Sequence, residues 1–215
     1  MKALVIVDVQ YDFLPGGALA VPDGDAVIPV INRLMPYFEL VVATQDWHPP
    51  DHGSFAANHP GRQVGEVIDL HGLEQRLWPV HCVQNTHGAE LAYEMDQRYI
   101  TRVFRKGTDR NIDSYSGIFD NGHRRPTGLG DYLKHHGVTD VYIAGLATDY
   151  CVQFTALDAR RLGFNTYVIE DACRGVNLNP GDVEQALENM RRAGVAIVTS
   201  DEVIAQSEKV KRDWE

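Results

Sequence analysis

Five side chains of this chain stand at or just past the end of an apolar run, and their types could supply a nucleophile, a base, a counter-charge and metal ligands. Asp8 is the only charge in LVIVDVQ, Asp46 and His48 follow ELVVAT, Lys106 closes ITRVFRK, and Cys151 follows DVYIAGL in the segment GLATDYCVQF. A cysteine two or three residues past a helix N-cap, here Thr148 or Asp149, meets free backbone N–H groups and the positive end of the helix dipole, which favour the thiolate. The same N–H groups can hold the oxyanion of a tetrahedral intermediate. Cysteines are more often inert packing residues, and Cys82 and Cys173 are read that way. The turn from strand into helix sets Cys151 apart.

Asp8, desolvated at a strand end, becomes a usable proton acceptor, and Lys106 can supply the pairing charge. An Asp–Lys pair alone is more often structural than catalytic. With a thiol beside it, the set contains a nucleophile, a base and a charge stabiliser. Asp46 and His48 lie two apart on an extended segment and can point the same way, His52 follows four residues later, and His81 arrives in WPVHC. One aspartate with two histidines and open positions for water suits zinc, iron or manganese. His59, His71, His87, His123, His135 and His136 are read as ordinary solvated residues.

The elements that must deliver these groups are visible as a pattern. ALVIVDV, ELVVATQD, ITRVFRKG, DVYIAGL, NTYVIED and VAIVTSD read as strands buried on both faces. Amphipathic stretches lie between them. AVIPVINRLMPYF, TGLGDYLKHHG and DYCVQFTALDARRLG read as helices, and a last helix is expected to open on Asn179–Pro180 and close at Gly194. The alternation predicts an α/β protein, a three-layer α/β/α sandwich with a central, mostly parallel six-stranded sheet. In such a sheet ligands sit outside the carboxyl ends of the strands, so the five side chains should face one crevice. Residues 47–100 form a long connection with only a weak helical signal near LEQRLW, and a loop of that length is normally functional.

The 215 residues suit one domain spanning 1–215. A formal net charge of −10 argues against nucleic acid and for small neutral or cationic substrates. No run is long enough for a membrane span or a signal-peptide core, so a cytoplasmic protein is expected. Three cysteines cannot all pair, and each is read as a free thiol.

ALVIVDVQYDF, ATQDWHPPDHGSF, WPVHCVQ, FRKG, DSYSGIFDN and GLATDYCV occur in the order found in the nicotinamidases (pyrazinamidases) of the isochorismatase-like cysteine hydrolase superfamily, which the chain resembles over residues 1–200. The resemblance implies hydrolysis of nicotinamide to nicotinate and ammonia through a cysteine thioester, with Asp8, Lys106 and Cys151 as catalytic triad. It implies one divalent metal ion, zinc foremost with iron or manganese as alternatives, on Asp46, His48 and His81. His52 lies where some relatives recruit a further ligand. It implies a cis peptide at Leu146–Ala147 with the Ala147 and Cys151 amides as oxyanion hole, and a ring pocket of Phe13, Trp78 and Tyr115 for pyridine or pyrazine carboxamides. A homo-oligomer is compatible with it. Another amidase of the superfamily, acting on a carbamoyl or ureido group, is the nearest alternative, and it should lack the metal set. A non-catalytic scaffold would have a broken triad, and a thiol redox protein would have a partner cysteine beside Cys151. The segment NHPGRQVGEVIDLHG departs in length from the family pattern, which leaves the shape of the lid open.

Overall fold

In the computed structural model, which describes residues 1–214, the first strand, β1 (Lys2–Val7), shows why the apolar runs become a buried sheet. Its side chains alternate between two cores: Leu4 and Ile6 join one, and Ala3, Val5 and Val7 join the other. β2 (Leu40–Asp46) repeats the pattern, with Val41 and Ala43 in the first core and Leu40 and Val42 in the second. A run apolar at every position therefore satisfies both faces of a covered sheet. Each fully buried Val or Ile contributes about 1.5–3 kcal/mol.

After β2 the chain makes the hairpin β3 (Val67–Leu70) and β4 (Leu73–Arg76), then β5 (Arg102–Lys106), β6 (Asp140–Leu146), β7 (Asn165–Arg174) and β8 (Ala196–Val198). The main sheet is six-stranded, ordered β5-β2-β1-β6-β7-β8, with every pair parallel. Helices α1 (Val27–Leu34) and α5 (Ser200–Ala205) cover the first core, to which Ile31, Leu34 and Val203 contribute. Helices α2 (Leu129–His135), α3 (Gln153–Arg161) and α4 (Asp182–Arg192) cover the second. This is the expected three-layer α/β/α sandwich.

Three local expectations are corrected. LEQR is strand β4 and not helical: it pairs antiparallel with β3 across a two-residue turn, His71–Gly72, in which both residues have positive φ (51° and 89°). That is the backbone a primed hairpin turn demands. The helix expected from Asn179 begins only at Asp182, behind Gly181 as N-cap with a φ of 89°. Asn179 instead closes a turn, its N–H donating to the Asp182 carboxylate. It is also not the last helix, because VAIVTSD ends its strand at Val198. Thr199 then caps α5, accepting from the Glu202 N–H while the Glu202 side chain accepts from the Thr199 N–H. No helix among the described residues is long and apolar enough to cross a membrane.

Candidate active site

Strand register brings the charged groups together. Val7 pairs with Thr44 and Gly145 across the two neighbouring strands, and Asp46 is the register partner of Lys106. β1 stops at Val7 because Asp8 takes a left-handed φ of 50°, a conformation that aspartate tolerates better than most residues. Its Oδ1 accepts from the Thr44 hydroxyl at 2.7 Å, and Oδ2 lies 2.8 Å from Lys106 Nζ. That ion pair lacks hydrogen-bond alignment at Oδ2, which leaves a lone pair for another donor. Lys106 Nζ also donates to Asp46 Oδ1 at 2.6 Å and to the Ser114 carbonyl at 2.9 Å, and it lies 3.4 Å from Cys151 Sγ.

All these side chains are buried, and burial sets their protonation. It pushes Asp8 above the ordinary carboxylate value, an effect that the opposing charge of Lys106 does not cancel. Burial also works to raise Asp46, but Lys106 and His48 hold it well below the usual range. Burial opposes a charged Lys106, yet Asp46 and Asp8 keep its ammonium protonated. Burial drives the Cys151 thiol well above its usual value despite Lys106.

The helix-start argument for a thiolate is thereby corrected. Neither Thr148 nor Asp149 caps the helix: Ala147 is the N-cap of a π turn, Thr148–Val152, that leads into α3, and the Asp149 carboxylate accepts instead from the N–H groups of Val176 and Asn177. Burial thus favours the protonated thiol of Cys151, and it also raises the basicity of Asp8, which Lys106 links to the sulfur. The Leu146–Ala147 peptide is cis.

Asp46, His48 and His81 converge. The Nδ1 atoms of His48 and His81 each face a backbone carbonyl at 2.7 Å, Gly107 and Pro79 respectively. A carbonyl only accepts, so Nδ1 carries a proton in each ring, and in the neutral ring Nε2 presents a lone pair. Both Nε2 atoms point at Asp46 Oδ2, at 3.4 and 3.8 Å. His48 Nε2 is buried with no hydrogen-bond partner. Three acceptors facing one another are satisfied by a cation, and the anchored Nδ1 atoms supply the orienting contacts that metal-binding imidazoles usually have. Gly107, with a φ of 63°, is required here, because a Cβ would collide with the His48 ring.

His52 lies tilted beside His48, with ring centroids 4.2 Å apart. Its Nδ1 accepts the Ser54 N–H at 3.2 Å, which puts the ring proton on Nε2 and makes His52 a donor beside the cluster. Burial pushes it down to about 4, so it is neutral at neutral pH.

Between Cys151 and the cluster lies a narrow slot. Phe13, Trp78 and Tyr115 line it, joined by Tyr150, Val176 and Asp113. Its open volume is about 40 Å³. A larger hollow of about 700 Å³ around Trp47, Tyr93 and Arg105 lies on the outer side of β5, away from the thiol.

An isochorismatase domain matches residues 2–202. The chain belongs to the isochorismatase family. Within that family, a nicotinamidase of Escherichia coli is 49% identical over 202 residues, covering 92% of this chain and 94% of its own. A solved nicotinamidase/pyrazinamidase of Acinetobacter baumannii superposes with a TM-score of 0.91 at 51% identity, covering 94% of this chain and 97% of its own. A pyrazinamidase of Pyrococcus horikoshii, solved in complex with zinc, has a TM-score of 0.75 at 41% identity, covering 92% and 98%.

The isochorismatase fold thus brings together all the side chains singled out in the sequence. Sequence reasoning missed Thr44, Ser114, Asp113, Gln75 and Tyr150. Thr44 and Ser114 lie within two residues of Asp46 and Tyr115, and Tyr150 abuts Cys151, but nothing in the spacing separates them from ordinary strand and loop residues. Three of the remaining histidines have local partners: His59 meets the Gly53 carbonyl, His87 pairs with Glu90 and His123 with Asp158.

Proposed function

We propose that this chain, acting as one domain over residues 1–215, hydrolyses nicotinamide to nicotinate and ammonia. The observation that carries the reading is Cys151 Sγ 3.4 Å from the ammonium that neutralises Asp8, at the mouth of a slot walled by aromatic rings. Asp8 takes the Cys151 proton, and the sulfur attacks the carboxamide carbon. The resulting oxyanion is held by the amides of Ala147 and Cys151. As the C–N bond breaks, Asp8 returns the proton to the departing nitrogen and ammonia leaves. Water then attacks the thioester, giving a proton to Asp8. The C–S bond breaks, nicotinate forms and the sulfur recovers its proton. Throughout, Lys106 keeps the negative charges near the thiol tolerable in a buried site.

Phe13, Trp78 and Tyr115 would sandwich and orient the flat ring. Asp46, His48 and His81 would hold one divalent ion, with zinc as the candidate. When bound, it supplies a Lewis-acid position for the pyridine nitrogen. This donor set favours a pyridine or pyrazine carboxamide over a carbamoyl or ureido substrate. The test is ammonia release from nicotinamide by purified protein, with metal analysis of the same sample. Absence of ammonia from metal-loaded protein refutes the reading.

A further inference from the structure

Gln75 points inward from β4 and is only 3% exposed. Its amide nitrogen lies 2.7 Å from the Arg76 carbonyl, 3.3 Å from Asp113 Oδ2 and 3.4 Å from the Tyr115 hydroxyl. A carbonyl and a carboxylate only accept, so the atom between them is the NH2 group and not the amide oxygen. That group has two protons for three acceptors. The close Arg76 carbonyl takes one, and Asp113 and Tyr115 share the other. The Tyr115 oxygen also accepts the Trp78 indole N–H at 3.1 Å, so donors occupy both of its lone pairs. Asp113, Tyr115 and Trp78 all line the slot.

We propose that Gln75 is a positioning residue for the ring slot. Its amide clamps Asp113 and the Tyr115 hydroxyl, and through Tyr115 the Trp78 indole, so the β3–β4 hairpin sets the width of the space the substrate ring occupies. The kinetic consequence rests on the nicotinamidase reading; the clamp itself does not. The hydrogen bonds of Gln75 go to the wall residues Asp113 and Tyr115 and to the Arg76 carbonyl, and not to Asp8, Lys106 or Cys151. A loosened wall weakens ground-state and transition-state binding alike, which raises KM and spares kcat.

Gln75→Met keeps the length of the side chain and removes both donors. It should raise KM for nicotinamide about tenfold while kcat stays within about threefold. Tyr115→Phe should act similarly, and the double variant should be no more than about twofold worse than the poorer single, because the two act through one contact. A second readout needs no turnover: the indole N–H resonance of Trp78, assigned with Trp78→Phe, should shift in both single variants. Dispersion of the same spectra reports folding. If Gln75→Met does not fold, Gln75→Asn, one methylene too short to reach both partners, is read in the same way. An unmoved indole resonance, an unchanged KM, or multiplicative losses in the double variant overturns the proposal. If the wild-type protein releases no ammonia from nicotinamide, the functional reading fails and the indole resonance alone decides the clamp.

Discussion

Lys106 Nζ sits 2.6 Å from Oδ1 of Asp46, its register partner across β2 and β5, which leaves the other oxygen of that carboxylate to the imidazoles of His48 and His81. The same ammonium is 2.8 Å from Asp8 and 3.4 Å from Cys151. One buried charge therefore joins the thiol centre to the Asp46–His48–His81 cluster. Lys106→Met should leave two buried carboxylates without their counter-charge and cost about 3–5 kcal/mol of stability. Thermal and denaturant unfolding would measure it, and a loss below 1 kcal/mol would mean that the carboxylates find other partners.

Cys151→Ala should abolish turnover while nicotinamide still binds and the circular dichroism spectrum is unchanged. Mass spectrometry of acid-quenched wild-type enzyme should find a nicotinoyl adduct on Cys151. Cys82→Ser and Cys173→Ser should keep their activity, because those thiols are buried, free and absent from the slot lining.

The pH profile follows from the directions of the shifts. The active form has Asp8 ionised and Cys151 protonated. Burial raises Asp8, so kcat/KM should begin to fall on acidification at a pH above the ordinary aspartate value of about 3.9. Burial raises Cys151 too, so no loss should accompany the ordinary thiol range near about 8.5. Because the two groups exchange a proton, the limbs report the pair. An alkaline fall centred near the ordinary thiol value would show that Cys151 is not desolvated in the working enzyme.

Gly107→Ala places a methyl group against the His48 imidazole and displaces the carbonyl that fixes its tautomer. Metal affinity should drop about 10–100-fold, as for loss of other orienting contacts, measured by chelator competition. Retention of wild-type affinity would remove His48 Nε2 from the ligand set.

Metal removal should act on specificity. The proposed ion engages the ring nitrogen, which benzamide lacks. Nicotinamide should be strongly preferred by metal-loaded enzyme, and the ratio of kcat/KM values should shrink towards parity after chelation or in His48→Ala. An equal fall for both amides would assign the ion to water activation or to structure.

Much of this was legible in the sequence because it is local. Continuous apolar runs mark strands covered on both faces, and a parallel sheet carries their carboxyl ends to one edge, so the sequence already gathers Asp8, Asp46, Lys106 and Cys151. The ring pocket and the cis peptide came only through family resemblance. The β3–β4 hairpin escaped notice because LEQR has no β-branched residue and its signal is a single His–Gly turn.

What the sequence by itself determined is the fold class and the chemical identity of the groups at the strand ends, since both follow from periodicity and composition. The tertiary structure alone decided how those groups behave. Whether Cys151 rests as thiol or thiolate depends on how completely the surrounding elements exclude water, and here burial outweighs the helix start. Which side chains hold the slot depends on contacts such as Gln75 to Tyr115, forty positions apart, and Trp78 to Tyr115, 37 apart. Such contacts arise from packing between elements, which has no period along the chain to read.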